Sequence, residues 1–418
     1  MKGVHLAIFV VLILALFAAL GSIIFVLLQR CLLFSICDNA KNTKLVPALY
    51  IFGDSTVDAG NNNNLSTTAR AISLPYGIDF NHTATGRFTN GLTVPDYFAR
   101  FLGLPFAPPY MNLSELERRK TTTGLNFASA SSGILPETGS FTGSPLTLDN
   151  QTDLFKITAK TLDVQNIKVH LAKSIFFISV GSNDYIMNYR NIASKTNKLF
   201  SPDYFAKFLA EELVKRLKVF FVSLELISFN ELSSIKFHNK VVILEKKLLF
   251  LLRWDKVDGF VRKPVVHEPC DPMSRLALGA RKFVVTGLGP VGCIPAIAKS
   301  TPHEGDCAES FNQALLSYNK ELFMKLSKLQ SQLYGSFFVH TDTFKFLHEL
   351  KENKEKYGIT DTQNACWDGK HDPCAVRDRY IYFDSAHPSQ ITNSIFAGRC
   401  FSESSICTPM NVMQLVSA

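Results

Sequence analysis

Short apolar segments recur along the chain, and each of them ends near a glycine or another turn residue. They are rich in Val, Ile and Phe and carry apolar side chains at successive positions. Such segments are typical of strands that are buried on both faces of a parallel sheet. The predicted strands are 48–52, 125–128, 175–180, 282–286 and 336–340.

Longer segments between these strands have the pattern of helices, such as 204–217 and 311–333. The alternation of strands and helices predicts an α/β fold with a doubly wound parallel sheet of about five strands. In such sheets, functional groups collect where the strands end, at the carboxyl edge. The sequence should therefore be searched for chemistry directly after each predicted strand.

The segment from about 218 to 272 does not follow this pattern, because it is hydrophobic without a clear period. One interpretation is a helical subdomain or lid inserted between the third and fourth predicted strands. The other is a piece foreign to the fold, such as translated intron sequence. Tryptic peptides from within 236–262 of the natural protein would contradict the second interpretation.

The N-terminal segment predicts entry into the secretory pathway. No charged residue lies between Lys2 and Arg30, and the residues from Leu6 to Leu28 are almost all apolar. A basic start followed by an apolar run is the pattern of a signal peptide, here assigned to residues 1–37. Small residues at 19–21 and at 35–37 offer two cleavage sites, between which the sequence does not decide. Because about 20 apolar residues suffice to span a bilayer, an uncleaved membrane anchor is the alternative. In both cases the rest of the chain faces an oxidising compartment.

The cysteines agree with such a compartment. Six of the nine cysteines form pairs that are close in sequence: Cys293 with Cys307, Cys366 with Cys374, and Cys400 with Cys407. Short-loop disulfides are the natural interpretation, although six cysteines allow fifteen connectivities. Four Asn-x-Ser/Thr sequons also fit a secreted glycoprotein, at Asn64, Asn81, Asn112 and Asn150.

The composition of the chain argues against two classes of protein, disordered chains and nucleic-acid-binding proteins. The chain has 418 residues, of which 46% are hydrophobic and 19% charged, and its net charge is +8. This composition excludes wholesale disorder. The longest basic run is only Arg118 to Lys120, so a nucleic-acid partner has little support.

Ser55 follows the first predicted strand, in the sequence GDS at 53–55. A serine at that edge, at the start of a helical segment, is well placed to act as a nucleophile. The alternative is an N-cap, a common role of serine.

Asp384 and His387 stand three residues apart in DSAHP at 384–388. This spacing lets the carboxylate contact the imidazole Nδ1, so that Nε2 can accept a proton from a serine. Taken alone, the same five residues also fit a surface turn with a capping aspartate.

Two further positions predict donors for an oxyanion. Asn183 lies in GSND at 181–184, directly after a predicted strand, where its amide can donate to a bound oxyanion or instead form an Asx-turn. The loop ending at Gly133 consists of small residues, so its main chain can approach a ligand closely.

Together these motifs resemble the GDSL esterase/lipase family of the SGNH hydrolases, and especially its plant branch. The resemblance covers about 46–217 and 273–411 and includes FGDSTVDAGNN at 52–62, GRFTNG at 86–91, NFASA at 126–130 and GLGPVGC at 287–293. It implies one hydrolase domain over 46–411, interrupted at about 218–272, with a three-layer α/β/α sandwich. It also implies Ser55 as nucleophile, His387 as general base and Asp384 as its orienting carboxylate. The Ser55 amide, an amide near Gly133 and the Asn183 side chain would form the oxyanion hole.

Two departures from the family pattern stand out. Relatives often carry Gly-Gly-x-Gly where this chain has ASSG at 130–133, which leaves open which amide of the loop serves as donor. Family members usually join the flanking elements by one short helix where this chain has 218–272.

The resemblance implies a secreted esterase or lipase of the cell wall or apoplast that acts on small-molecule or polymer-borne esters, without a metal or organic cofactor. We expect a monomer that contacts a membrane only if the N-terminal segment is retained. The alternatives are an acyltransferase with the same triad and a catalytically silent binding or defence protein on the same scaffold.

Overall fold

The computed structural model describes residues 44–190, 200–220 and 279–418. The predicted signal peptide or anchor at 1–37 and almost all of the atypical segment 218–272 lie outside these residues. In the part that is described, no helix combines the length and the apolar character needed to cross a membrane.

The described strands fall into two sheets. The larger sheet has the order β1-β2-β3-β4-β7, and β5 and β6 form a separate parallel pair. The strands are β1 (Leu49–Gly53), β2 (Ile175–Ser179), β3 (Lys282–Thr286), β4 (Phe337–Thr341), β5 (Asp361–Ala365), β6 (Tyr380–Tyr382) and β7 (Cys407–Thr408).

Helices connect and cover these strands. They are α1 (Val94–Phe101), α2 (Glu115–Lys120), α3 (Leu148–Thr161), α4 (Ile167–Lys173), α5 (Pro202–Val219), α6 (Pro295–Ser300), α7 (Glu309–Gln332), α8 (Thr343–Glu352), α9 (Gln390–Ser402) and α10 (Val412–Ser417). A π-helical turn spans Asp184–Tyr189, and 3₁₀ turns span Asn61–Asn64, Tyr110–Asn112, Ser140–Thr142, Val291–Cys293, Lys354–Tyr357 and Arg377–Arg379.

The prediction of an α/β fold with a sheet of about five strands is confirmed, but the sheet is mostly rather than wholly parallel and one of its members differs. Strands β1 to β4 are parallel and match four of the predicted strands. The fifth strand is β7, which pairs antiparallel with β4, rather than the predicted strand 125–128. That segment follows β1 through main-chain hydrogen bonds but forms only one parallel bridge there, between Ile51 and Asn126.

Alternating side chains of the parallel strands build two separate cores. In β1, Tyr50 and Phe52 enter the first core with helices α3, α5 and α7, while Leu49 and Ile51 enter the second. The second core contains residues of α1, α8, α9 and α10. Because helices cover both faces of the sheet, the architecture is an α/β/α sandwich.

The structure joins the six paired cysteines as short-loop disulfides. The bonds are Cys293–Cys307, Cys366–Cys374 and Cys400–Cys407. The last of these ties the end of α9 to β7 and so holds the antiparallel edge strand close to the helix that precedes it.

Candidate active site

Ser55 lies in a turn that leaves the carboxyl end of β1. Gly53, the last residue of β1, has φ +147°, and a Cβ there would lie 2.0 Å from the Ser179 carbonyl oxygen, so only glycine fits. The Gln151 side chain accepts from the Gly53 amide and donates to its carbonyl, both at 2.9 Å. These contacts fix where the chain leaves the sheet and hence where Ser55 lies.

Asp54 closes this turn from inside the protein. Its Oδ1 accepts hydrogen bonds from the amide and the hydroxyl of Thr56, at 3.0 and 2.7 Å. Burial raises the pKa of Asp54, although the Thr56 hydrogen bonds and the charge of His387 act in the opposite direction. Asp54 therefore shapes the turn and is also a second acidic group near the histidine.

His387 and Asp384 lie in a loop between β6 and α9. Asp384 is buried, and its Oδ1 accepts hydrogen bonds from the amides of Ala386 and His387, at 2.8 and 2.7 Å. Its Oδ2 lies 2.8 Å from His387 Nδ1. The spacing of three residues thus closes a tight loop in which the carboxylate holds both the main chain and the ring of the histidine.

Ser55 and His387 are brought together although 332 positions separate them. The distance from His387 Nε2 to Ser55 Oγ is 2.8 Å. Because a carboxylate only accepts hydrogen bonds, Nδ1 must carry the proton it shares with Asp384. In the neutral ring Nε2 is then the acceptor, and the Ser55 hydroxyl donates to it.

The electrostatics of this pair follow from its contacts. Burial disfavours the charged form of both groups, but each stabilises the charge of the other. As a result the pKa of His387 is raised above its ordinary value, and the pKa of Asp384 is lowered. The geometry gives a neutral serine hydroxyl bonded to a ring of increased basicity.

The loop carrying Gly133 and the side chain of Asn183 lie beside this turn. The Ser132 hydroxyl donates to the Gly53 carbonyl at 2.8 Å, which fastens the loop to the end of β1. Asn183 is buried, and its Nδ2 donates to the Ser132 carbonyl at 2.9 Å. Since an amide NH₂ has two hydrogens, this bond orients Asn183 and leaves one hydrogen for another acceptor.

Asp184 clamps the far side of the same loop. Its carboxylate accepts from the amides of Ile134 and Leu135 and from the Thr138 hydroxyl, at 2.8, 2.9 and 2.7 Å. A Cβ on Gly133 would lie 2.4 Å from Thr138 Cγ2 and 2.6 Å from Asp184 Oδ2, so glycine is required at 133. Burial raises the pKa of Asp184 to about 6, although these hydrogen bonds act in the opposite direction.

The main-chain amides of Ser55 and Gly133 are without a hydrogen-bond partner among the described residues. An amide that faces a cleft with no acceptor of its own is the type of donor that stabilises an oxyanion. The predicted donors therefore belong to segments that the structure links directly, through Ser132, Gly53 and Asn183.

Sequence reasoning missed Tyr76. Its hydroxyl donates to Asp384 Oδ2 at 2.8 Å, across 308 positions of the chain. Its ring packs edge-on against Phe88 and Trp367, at centroid distances of 5.6 and 5.3 Å. Nothing in the local sequence around Tyr76 indicates this contact, since it depends on how distant loops meet.

The motif GRFTNG at 86–91 also braces the histidine loop, a role that its sequence did not indicate. Thr89 donates to the Pro388 carbonyl at 3.0 Å, and Asn90 accepts from the Gln390 amide at 2.9 Å. The Phe88 ring lies 5.0 Å from the ring of His387, measured between centroids. The chain directly after His387 and the ring itself are thus held by one segment.

A serine, a histidine and an aspartate joined by hydrogen bonds at the carboxyl edge of a mostly parallel sheet form the arrangement of the serine hydrolases. Comparison with known proteins narrows this class. The family model described as GDSL-like Lipase/Acylhydrolase matches residues 49–253 and 264–399. The chain belongs to this family.

Curated relatives from Arabidopsis thaliana agree with this assignment. One GDSL esterase/lipase is 32% identical over 391 residues, which cover 89% of this chain and 86% of the relative. GDSL esterase/lipase 7 is 32% identical over 392 residues, covering 89% of this chain and 92% of the relative. A third GDSL esterase/lipase is 31% identical over 400 residues, covering 90% of this chain and 89% of its own length.

Proposed function

We propose that this chain is a secreted serine esterase that hydrolyses carboxylic esters through an acyl-enzyme on Ser55. That the chain is a hydrolase of the lipase/acylhydrolase type follows from its family membership. The proposal of an acyl-enzyme on Ser55 rests on the unbroken hydrogen-bond chain from Asp384 through His387 to the Ser55 hydroxyl.

In the acylation step, Ser55 Oγ attacks the ester carbonyl carbon while its proton passes to His387 Nε2. The carbonyl oxygen becomes an oxyanion, and Asp384 stabilises the imidazolium that forms. His387 then gives its proton to the leaving alkoxide. The alcohol departs, and the acyl group remains bonded to Ser55.

In the deacylation step, water replaces the serine as nucleophile. His387 Nε2 accepts a proton from the water, whose oxygen attacks the acyl carbonyl carbon. The bond to Ser55 Oγ breaks, and His387 returns a proton to that oxygen. The carboxylic acid leaves, and the serine hydroxyl is restored.

The oxyanion of both steps would be stabilised by the amides of Ser55 and Gly133 and by the Asn183 side chain. Removing one donor of such a hole typically costs about 10² to 10³ in kcat. The hydrogen bond from Asn183 to the Ser132 carbonyl supports this role, because it orients the amide before substrate arrives.

The decisive experiment is labelling of the protein with a fluorophosphonate probe. We expect wild type to be labelled and Ser55→Ala to remain unlabelled, because only an activated serine reacts. Ser331→Ala is the matched control, since this serine lies on the exposed side of α7, and it should label like wild type. Equal labelling of wild type and Ser55→Ala would overturn the proposal.

Product analysis separates hydrolysis from acyl transfer. With an ester substrate and a competing alcohol, an esterase releases mainly the free acid. Accumulation of a new ester instead of the acid would identify an acyltransferase that uses the same residues.

Secretion is the second part of the proposal. We expect the leader to be removed and the mature chain to be a monomer without a nucleic-acid partner. Secretion is supported by the three disulfides and by the exposure of all four sequon asparagines, Asn64, Asn81, Asn112 and Asn150. N-terminal sequencing of protein from the medium should begin just after one of two small-residue sites, at 19–21 or at 35–37. Resistance to carbonate extraction from membranes would indicate a retained anchor, and gel filtration tests the monomer.

A further inference from the structure

A cavity of about 150 Å³ lies on the second-core side of the sheet. Its walls are contributed by β2, β6, α8 and α9, by the turn after β1, and by the loops after β2, β3 and β6. They are mainly hydrophobic, including Val57, Phe177, Leu347, Ile381 and Phe396. A cavity with such a lining favours an apolar occupant.

Polar side chains in the same walls mostly satisfy one another or the main chain. Thr343 donates to the Gly287 carbonyl at 2.8 Å, Thr392 to the Ile381 carbonyl at 2.9 Å, and Asn393 to the Leu92 carbonyl at 3.0 Å. Since these donors are already occupied, they offer little to a polar ligand. The lining is therefore mainly apolar, although the buried hydroxyl of Tyr382, another lining residue, is without a hydrogen-bond partner among the described residues.

The cavity adjoins the candidate active site. Asp54 and Thr56, the two neighbours of Ser55, both line it. Ala386 and Pro388, the two neighbours of His387, line it as well. Consecutive Cα atoms are only 3.8 Å apart, so the walls begin within one residue of both groups.

We propose that this cavity binds the acyl chain of the ester, and that the preferred substrate carries an acyl chain of medium length. This inference rests on the proposed esterase function. The length of the acyl chain follows from the cavity volume, because a dry cavity of about 150 Å³ in another protein holds one benzene molecule, which has six carbon atoms. The cavity therefore accepts about six carbons of the chain, as in a hexanoyl ester.

Leu347 is the residue best suited to test this assignment. It lies on α8, is half-buried and faces the cavity. Gly289, which also lines the cavity, is a close neighbour, since a Cβ on it would lie 3.4 Å from Leu347 Cδ1. A larger side chain at 347 therefore has to take up cavity space, and a smaller one adds to it.

The experiment compares kcat/KM for p-nitrophenyl acetate, butyrate, hexanoate, octanoate and decanoate. Each methylene that is buried should raise kcat/KM about fourfold, so wild type should prefer hexanoate over acetate by on the order of 100-fold. Leu347→Phe should lower this preference at least tenfold. Leu347→Ala should move the optimum toward octanoate.

The control is Leu154→Phe, which makes the same change at a half-buried leucine of α3 that packs against the first core. Its chain-length profile should match that of wild type. Two results would overturn the acyl-chain assignment: wild type that hydrolyses acetate and hexanoate equally well, or a Leu347→Phe profile identical to that of Leu154→Phe.

A binding measurement separates failure of this inference from failure of the esterase proposal. Isothermal titration of Ser55→Ala with hexanoate should detect binding that Leu347→Phe, added to the same background, weakens at least tenfold. Binding without any ester hydrolysis by wild type would contradict the esterase proposal and keep the apolar site. Hydrolysis in wild type, with no hexanoate binding to Ser55→Ala, would overturn the acyl site alone.

Discussion

Two buried aspartates, Asp184 and Asp384, hold the two sides of the site, and their pKa values are shifted in opposite directions. Asp184 accepts three hydrogen bonds from uncharged donors in the Gly133 loop, and its pKa is raised to about 6 by burial. Asp384 accepts hydrogen bonds from two amides and Tyr76 and also contacts His387, and its pKa is lowered.

The difference lies in the partner that can carry charge. Burial raises the pKa of both carboxyls, and hydrogen bonds from neutral donors reduce that shift without reversing it for Asp184. Only Asp384 lies against a group that can become a cation. A carboxylate that must stay ionised during proton transfer is therefore paired with the histidine, whereas one that only holds a loop is not.

Asp384→Asn should have the largest effect on activity. An amide can donate to Nδ1 and so favour the wrong tautomer, and it cannot stabilise the imidazolium. We expect kcat to fall about 10³- to 10⁴-fold, as in other triads, measured with p-nitrophenyl butyrate. Asp153→Asn, an exposed position on α3, serves as the control and should retain full activity. A loss below tenfold would point to Asp54 as the carboxylate that supports His387.

The pH dependence of stability should distinguish the two aspartates. The pKa of Asp184 is about 6 in the folded protein against an ordinary value of 3.8, so its stabilising contribution is present below pH 4 and lost as pH rises through 6. The difference in unfolding free energy between wild type and Asp184→Asn should therefore change by about 2 kcal/mol between pH 4 and 7.5, in the direction that favours wild type in acid.

Asp384 should show the opposite trend, because its folded pKa is lowered. Its contribution is present above the ordinary pKa and disappears as pH falls through the lowered value. Urea unfolding of wild type and both asparagine variants provides the measurement, and it has to extend below pH 4, where the contribution of Asp384 is lost. If the unfolding free energies of the two variants, relative to wild type, changed with pH in the same way, the contrast between the two aspartates would be wrong.

Tyr76→Phe should have the smallest effect, because it removes one of several donors to Asp384. Loss of a hydrogen bond of about 1 kcal/mol predicts a fivefold lower kcat. With its carboxylate less compensated, Asp384 should raise the pKa of His387 further, so the acid limb of kcat/KM should move to higher pH. Tyr334→Phe is the matched control, since this tyrosine is 99% exposed. An unchanged pH profile would remove Tyr76 from the positioning of Asp384.

Local sequence predicted the strands well where burial on both faces leaves a continuous apolar run, as in β2 and β3. It was wrong at 125–128, where the apolar pattern is present but pairing with β1 is reduced to one bridge. It also missed β7, because two residues are too few to carry a pattern. Strand formation in both places depends on partners that are distant in the chain.

The candidate site likewise contains contacts that the local sequence predicts and contacts that depend on distant segments. Asp384 and His387 could be paired from their spacing alone, because three residues bring their side chains together within one turn. Tyr76 and the clamp formed by Asp184 on the Gly133 loop could not, because 308 and about 50 positions separate the partners. The acyl cavity has no sequence signal either, since its walls come from several elements.

What the sequence determined by itself is therefore local: the apolar strand runs, the short cysteine loops, and the turns that present Ser55, Asn183 and His387. Only the tertiary structure decided that Ser55 and His387 lie 2.8 Å apart, which pKa values burial shifts, and where an apolar cavity remains beside them. The physical reason is that turn geometry depends on neighbouring residues, whereas burial, charge compensation and empty volume depend on how distant segments pack.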